Sequence, residues 1–215
     1  MKAFFKQTIY ILTLFISASA LSQKTVYENK SFEELASDHK ELAIIPFHVL
    51  LNLKNEEQLT ESNLKALAER EGYAVQNAVE SYFLKRKKRK KFSVNIQDIK
   101  NTNALLKKHN ITISNIDEFT TQELCSILKV DGLVSGNLTL KALISQGVST
   151  SFDFISFVTG SSDYGRIALK ISDGDSGKLL WKYEQEITRK SGKNTHEIIE
   201  SIMKKLVRKF PYDKE

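Results

Sequence analysis

Four histidines, His39, His48, His109 and His196, and one cysteine, Cys125, are the side chains in this sequence best suited to ligate a metal or move a proton near neutral pH. Their spacing gives them no help. No two histidines form an H-x-H or H-x-x-x-H pair, so a zinc site would have to be assembled by the fold without cysteine support. No G-x-x-x-x-G-K-[ST], G-x-G-x-x-G or G-x-S-x-G occurs, which leaves a phosphate cradle and a nucleophile elbow unsupported. Asp173, Asp175, Gly177 and Glu184 fall at positions 1, 3, 5 and 12 of a calcium-loop frame. Position 6 of that frame needs glycine and is Lys178, and the flanks alternate like strands rather than helices. Cys125 stands beside Leu124 and Leu128 in an apolar helical pattern, which reads as a small buried hydrophobe rather than a reactive thiol. These residues lead us to expect no catalytic, cofactor or metal site, and a protein that is not an enzyme.

Two other stretches offer contact chemistry. Lys85-Arg86-Lys87-Lys88-Arg89-Lys90-Lys91 places seven cations side by side. Cations at a helix C-terminus complement its dipole, which accounts for part of the run. A solvated charged loop is the plain reading of the rest. The functional reading is an anionic partner. Nucleic acid is one such class; for an exported chain, anionic lipid, lipopolysaccharide or an acidic protein face fits the same Coulombic requirement better. The second stretch is apolar: Phe152, Phe154, Ile155, Phe157 and Val158 make SFDFISFV apolar on both parities, between Gly147 and Gly160. Within Lys141–Gly165 it reads either as a buried strand or as an exposed, membrane-contacting hairpin.

The elements that must position these residues begin after a separate leader. Residues 1–22 carry a basic start at Lys2 and Lys6, an apolar core over Ile9–Ile16, and small residues at Ala20 and Ser22 before Gln23. That is the form of a secretory signal peptide, and the apolar run is well short of the roughly 20 residues that span a bilayer. No cysteine ends this segment, so no lipid anchor through an N-terminal cysteine is expected, and one cysteine allows no intrachain disulfide. The whole chain is 41% hydrophobic and 27% charged, an ordinary globular composition, and 23–215 reads as a single domain.

Within it, Arg166–Ile187 gives the clearest signal. Ile167, Leu169 and Ile171 alternate with polar residues, DGDSG intervenes, and Leu179, Trp181, Tyr183 and Ile187 alternate again. This predicts an antiparallel hairpin with one buried face, Gly174 and Gly177 supplying positive φ and Asp173 and Ser176 bonding the turn. Leu42–Phe47 predicts a strand buried on both faces, with Pro46 near its end. Steps of three and four from Leu64 to Tyr82 predict a helix over 62–83, in which Gly72 allows a close neighbour. A strand is expected over Phe92–Ile99, a short helix over Thr102–Lys108, a helix opened by the capping box Thr120-x-x-Glu123, and turn and strand over Val130–Leu140. Ser31-x-x-Glu34 and Asn194-x-x-Glu197 are read as further helix starts, the second leading to a last helix that presents Ile199, Ile202, Met203, Leu206 and Phe210. The expected fold is α/β: a mixed sheet with helices packed on it, beginning β-α-β-α-α-β with parallel first strands and ending in an antiparallel hairpin plus a C-terminal helix.

Several phrases in this order resemble a bacterial envelope superfamily. They are Leu42-Ala43-Ile44-Ile45-Pro46-Phe47, Asn103-Ala104-Leu105-Leu106, Thr121-x-Glu123-Leu124 leading to Val130-Asp131-Gly132-Leu133-Val134-x-Gly136, and Asp173-x-x-Ser176-Gly177-Lys178-Leu179-Leu180-Trp181, with Phe210-Pro211-Tyr212 at the end. The superfamily includes the curli-secretion channel lipoprotein, the outer-membrane activator of penicillin-binding proteins and the amino-terminal domain of the Tol–Pal translocation protein. The resemblance implies an α/β sandwich-like domain without catalysis, acting by binding envelope proteins or by assembling into a homo-oligomeric ring. The channel and activator members are typically lipoproteins, and this chain has no cysteine at the end of the leader to carry the lipid. The expectation is therefore a non-enzymatic exported protein, in the periplasm or at the outer membrane, that regulates a cell-wall or secretion machine as a binding or assembly module. The alternative is a peripheral membrane or pore-forming subunit, with the run 85–91 on an anionic surface and 152–158 as the apolar contact.

Overall fold

The structure is a computed structural model that describes residues 25–52, 60–88, 92–141, 163–188, 191, 194–206 and 210–212. Residues 1–22, read above as a signal peptide, the apolar residues Phe152, Phe154 and Phe157, and Arg89, Lys90 and Lys91 of the basic run lie outside the described residues.

In chain order the elements are β1 (Thr25–Glu28), α1 (Phe32–Leu35), β2 (Glu41–Ile44), β3 (His48–Leu51), α2 (Glu61–Lys87), β4 (Asn95–Ile96), α3 (Ile99–Lys108), a 3-10 turn (Ile116–Glu118), α4 (Thr121–Leu128), β5 (Gly132–Leu140), β6 (Asp163–Asp173), β7 (Leu179–Thr188) and α5 (Thr195–Leu206). Seven strands form one sheet in the order β1-β7-β6-β5-β2-β4, with β3 pairing β5 off that path. β2 runs parallel to both β4 and β5, and β3 is parallel to β5. The pairs β5/β6, β6/β7 and β1/β7 are antiparallel. This is the expected mixed sheet. Parallel neighbours need a crossover, supplied here by the long helix α2 and by the α3–α4 segment.

β2 and β3 lie along the same neighbour, β2 at the Gly132 end of β5 and β3 at its Leu140 end. Ile45-Pro46-Phe47 breaks the strand between them, where the proline's missing donor costs no ladder bond. All of Leu42, Ala43, Ile44 and Phe47 are fully buried, because the sheet is covered on both faces here. On one face α2 and α5 lay Val75, Val79, Ile198 and Ile202 against Ile167 and Leu169. On the other, α3 and α4 close a smaller core of Leu106, Leu124 and Leu128 over Ala43 and Leu133. Trp181 is fully buried, stacked on Tyr183 and edge-on to Phe210.

The structure corrects four local expectations. The strand expected over Phe92–Ile99 shrinks to Asn95–Ile96 at the sheet edge, because Asp98 caps α3 through the Lys100 amide at 2.7 Å and the helix starts at Ile99. Ser31 precedes a helical turn but makes no side-chain cap; its own N–H donates to Asn29 Oδ1 instead. Gly174 does not take positive φ; Gly177 does, at φ 69°. β1 and β3 were not expected at all. The Thr120–Glu123 capping box is present in full.

Gly72 sits where α2 touches the β2–β3 break. A Cβ built there would come within 2.3 Å of the Phe47 carbonyl oxygen. Gly72→Ala removes a helix-interior glycine worth about 1 kcal/mol, yet it forces backbone apart in a packed core. The expected result is a net loss of about 2 kcal/mol, read as a lower midpoint in chemical denaturation.

Candidate functional site

One grouping of proton-moving residue types exists among the described residues, and it joins three distant parts of the chain. His39, just before β2, directs Nε2 to Asp173 Oδ1 at 2.9 Å. Its Nδ1 meets the Tyr212 hydroxyl in a short hydrogen bond. Asp173, the last residue of β6, also accepts from the Ser176 amide at 2.8 Å and from the Ser176 hydroxyl, which closes the hairpin turn. The tautomer with its proton on Nε2 satisfies every member: the imidazole donates to the carboxylate and accepts from the phenol. Asp131 works beside it. Its carboxylate accepts from the Lys40 and Glu41 amides at 2.7 and 2.8 Å, and its carbonyl accepts from the Gly174 amide at 2.8 Å.

The electrostatics follow from burial and partners. Burial works to raise the Asp173 carboxyl, but the bonds from Ser176 and His39 outweigh it and hold the group below its ordinary value of 3.8. Burial, then the charges of Asp173 and Asp131, push the Tyr212 phenol up. Burial, then Asp173, Asp131 and Asp175, push the Cys125 thiol up to about 12. Gly174 lies against that thiol; a Cβ there would stand 3.0 Å from Cys125 Sγ and 2.7 Å from the Asp131 carbonyl oxygen.

An acid–base pair must reach a substrate. The His39 and Asp173 side chains are each only 4% exposed. A cleft of about 330 Å³ opens nearby, lined by Gln122, Cys125, Lys129, Asp131 and Asp175, and none of His39, Asp173 and Tyr212 lines it. A second cleft, of about 160 Å³, lies where α4 meets the sheet and carries His48, Asn137 and Lys170. No group of three or more His, Cys, Asp or Glu side chains that could hold a metal occurs among the described residues. Asp173, Asp175, Gly177 and Glu184 flank or enter a two-strand turn, and the Asp173 oxygens are spent on His39 and Ser176.

The described part of the basic run closes α2. Lys85 pairs with Glu200 of α5 at 2.9 Å. The Arg86 guanidinium stands 5.9 Å from the Phe92 ring centroid, and Lys87 donates to Asn95 Oδ1. Lys88 is the C-cap, its amide bonding the Leu84 carbonyl. The helix-end reading thus accounts for three of these side chains through intramolecular contacts.

Among the described residues the sheet presents open surface on the face away from α2 and α5. Cross-strand rows on it read Ser135–Lys170–Lys182–Tyr27 and Thr139–Arg166–Glu186, with Asn137–Ala168–Glu184 between them. All are half-buried or exposed. Lys182 pairs with Glu184, and Arg166 with Glu186 at 3.5 Å.

No protein-family model matches the chain, and no curated protein sequence matches it. Solved structures align with it at TM-scores below 0.5. Lipoprotein GNA1162 from Neisseria meningitidis aligns at a TM-score of 0.46 with 10% identity, over 79% of this chain and 98% of that one. The LpoB C-terminal domain from Salmonella enterica aligns at 0.36 with 6% identity, over 73% and 92%. The dodecamer of a single-substitution PelC variant from Paraburkholderia phytofirmans aligns at 0.30 with 7% identity, over 84% and 98%. At these scores no site, partner or assembly is carried over from any of them.

Two measurements test this geometry. The lowered Asp173 carboxyl contributes stability that is complete above its unfolded value of 3.8 and is lost as pH falls through the folded value. Asp173→Asn is expected to lower stability at neutral pH by about 1–3 kcal/mol, and to remove that part of the acid loss from a plot of unfolding free energy against pH. The Cys125 thiol is expected to ignore a thiol reagent such as Ellman's at pH 8 until the chain unfolds; stoichiometric reaction of the native protein would refute its burial.

Proposed function

We propose that this chain is a non-enzymatic exported envelope protein that works as a binding or assembly module, with a cell-wall or secretion machine as the class of partner. The observation that carries the reading is the closed set of His39, Asp173 and Tyr212. These residue types could perform acid–base chemistry, and each is committed to holding another part of the fold. Residues 1–22 support export by their pattern of basic start, apolar core and small residues.

The open sheet face supports a protein partner. Arg166, Lys170 and Lys182 alternate with Glu184 and Glu186, a mixture that complements a mixed protein surface better than a polyanion. A photo-crosslinking residue at Asn137, in the middle of this face, is expected to give a discrete adduct with an envelope protein in intact cells. The same residue at Tyr73, exposed on α2, is expected to give none. Recovery of the chain in the cytosol, or a hydrolytic activity of the purified protein that a point substitution abolishes, would overturn the reading.

A further inference from the structure

The carboxyl ends of α2 and α5 meet at one corner of the domain. Phe210, beyond α5, packs on Phe83 in the last turns of α2 and on Phe92 just past it, with ring centroids 5.2 and 5.4 Å apart. Glu200 bridges the two helices, 2.9 Å from Lys85 and 3.4 Å from Lys204. The last turn of α5 is basic, with Lys204 and Lys205 both exposed. Two stretches that are remote in sequence therefore form one basic pole: Lys85, Arg86, Lys87 and Lys88 from α2, and Lys204 and Lys205 from α5. Glu200 offsets one of these six charges. Both stretches are helix C-termini, whose dipoles relieve part of the repulsion among the cations.

Leu84 lies within this pole and is 51% exposed. A single exposed leucine is ordinary on a protein surface. Here it shares a helix face with Lys88, one turn on, at the basic end of α2. Cations around an exposed apolar side chain suit a bilayer interface, where headgroups meet the charges and the apolar group reaches the acyl boundary. A nucleic acid would use the cations and offer Leu84 nothing comparable. We propose that this two-helix pole, with Leu84 as its apolar contact, seats the protein on an anionic bilayer surface. The proposal goes beyond the protein-binding role and uses a different part of the molecule from the open sheet face.

The test places an environment-sensitive fluorophore on Leu84→Cys in the full chain; buried Cys125 stays unlabelled under native conditions. Vesicles of phosphatidylcholine mixed with phosphatidylglycerol are expected to shift the emission to the blue. Vesicles of phosphatidylcholine alone are expected not to, and high salt should reverse the shift. Replacing Lys85, Lys88, Lys204 and Lys205 by Gln is expected to weaken partitioning about fivefold for each charge removed. Glu200→Gln is expected to strengthen it. These positions are on the surface, so the variants keep their fold. A label at Tyr73→Cys, an exposed site earlier on α2, is expected to stay in water. The proposal is overturned if the Leu84 label does not shift, if the lysine variants leave the shift unchanged, or if the Tyr73 label shifts equally. Binding of duplex DNA with no response to vesicles would assign the pole to nucleic acid and overturn it too. Any of these outcomes leaves the Asn137 crosslink, and with it the protein-binding role, to stand or fall separately.

Discussion

A carboxylate taken out of water needs its lone pairs filled, and Asp173 fills them from the Ser176 amide, the Ser176 hydroxyl and the His39 ring. The same three bonds close the β6–β7 turn and tie it to the segment entering β2. Through the other ring nitrogen of His39 they also hold Tyr212 at the end of the described chain. Phe32 of α1 adds an edge-on contact to Tyr212 at 5.2 Å. Asp131 repeats the device one strand away, its carboxylate gathering the Lys40 and Glu41 amides while its carbonyl holds Gly174. Two acids thus fasten the β2, β5 and hairpin ends together. With a single cysteine in the sequence, no intrachain disulfide shares that task.

The remainder of the fold depends on close packing over the sheet. α2 can lie on the β2–β3 break because Gly72 lets the Phe47 carbonyl approach. Next to it, buried Gln76 donates to the Ile44 carbonyl at 2.6 Å and exchanges bonds with Asn103 of α3. A polar side chain inside the core therefore ties α2 directly to α3 and to the end of β2, and its bonds offset the cost of burying it. α5 adds Ile198, Ile199, Ile202 and Met203, all nearly inaccessible. At roughly 1.5–3 kcal/mol per buried side chain, this apolar stripe is what holds the carboxyl-terminal helix to α2 and β7 and brings its lysines to the end of α2.

Much of this was legible in the sequence where the signal is local. The β6–β7 hairpin follows from the alternation of Ile167, Leu169 and Ile171 with Trp181, Tyr183 and Ile187 about a Gly/Asp turn. The helix starts at Thr120 and Asn194 follow from capping residues, and both caps are formed. β1 and β3 escaped because each is four residues long, too short for periodicity to stand out. Their existence depends on the ladders of β7 and β5, which are non-local. His39, Asp173 and Tyr212 were not associated for the same reason: separations of 134 and 173 residues obey no spacing rule. Asp173 was read as a turn residue, which it is, and its partner across the sheet end could not be seen. The basic run was read alone because Lys204 and Lys205 join it only after α5 docks on α2.

His39 is a structural link between the hairpin turn and Tyr212. Amide hydrogen exchange in a His39→Ala variant tests this most directly. The Ser176 amide reports the turn, through its bond to Asp173, and the Ser93 amide reports the tail, through its 3.0 Å bond to the Tyr212 carbonyl. Both are expected to lose protection together, while amides in the middle of β5 keep theirs. Unchanged protection at both sites, or a change at one alone, would contradict it.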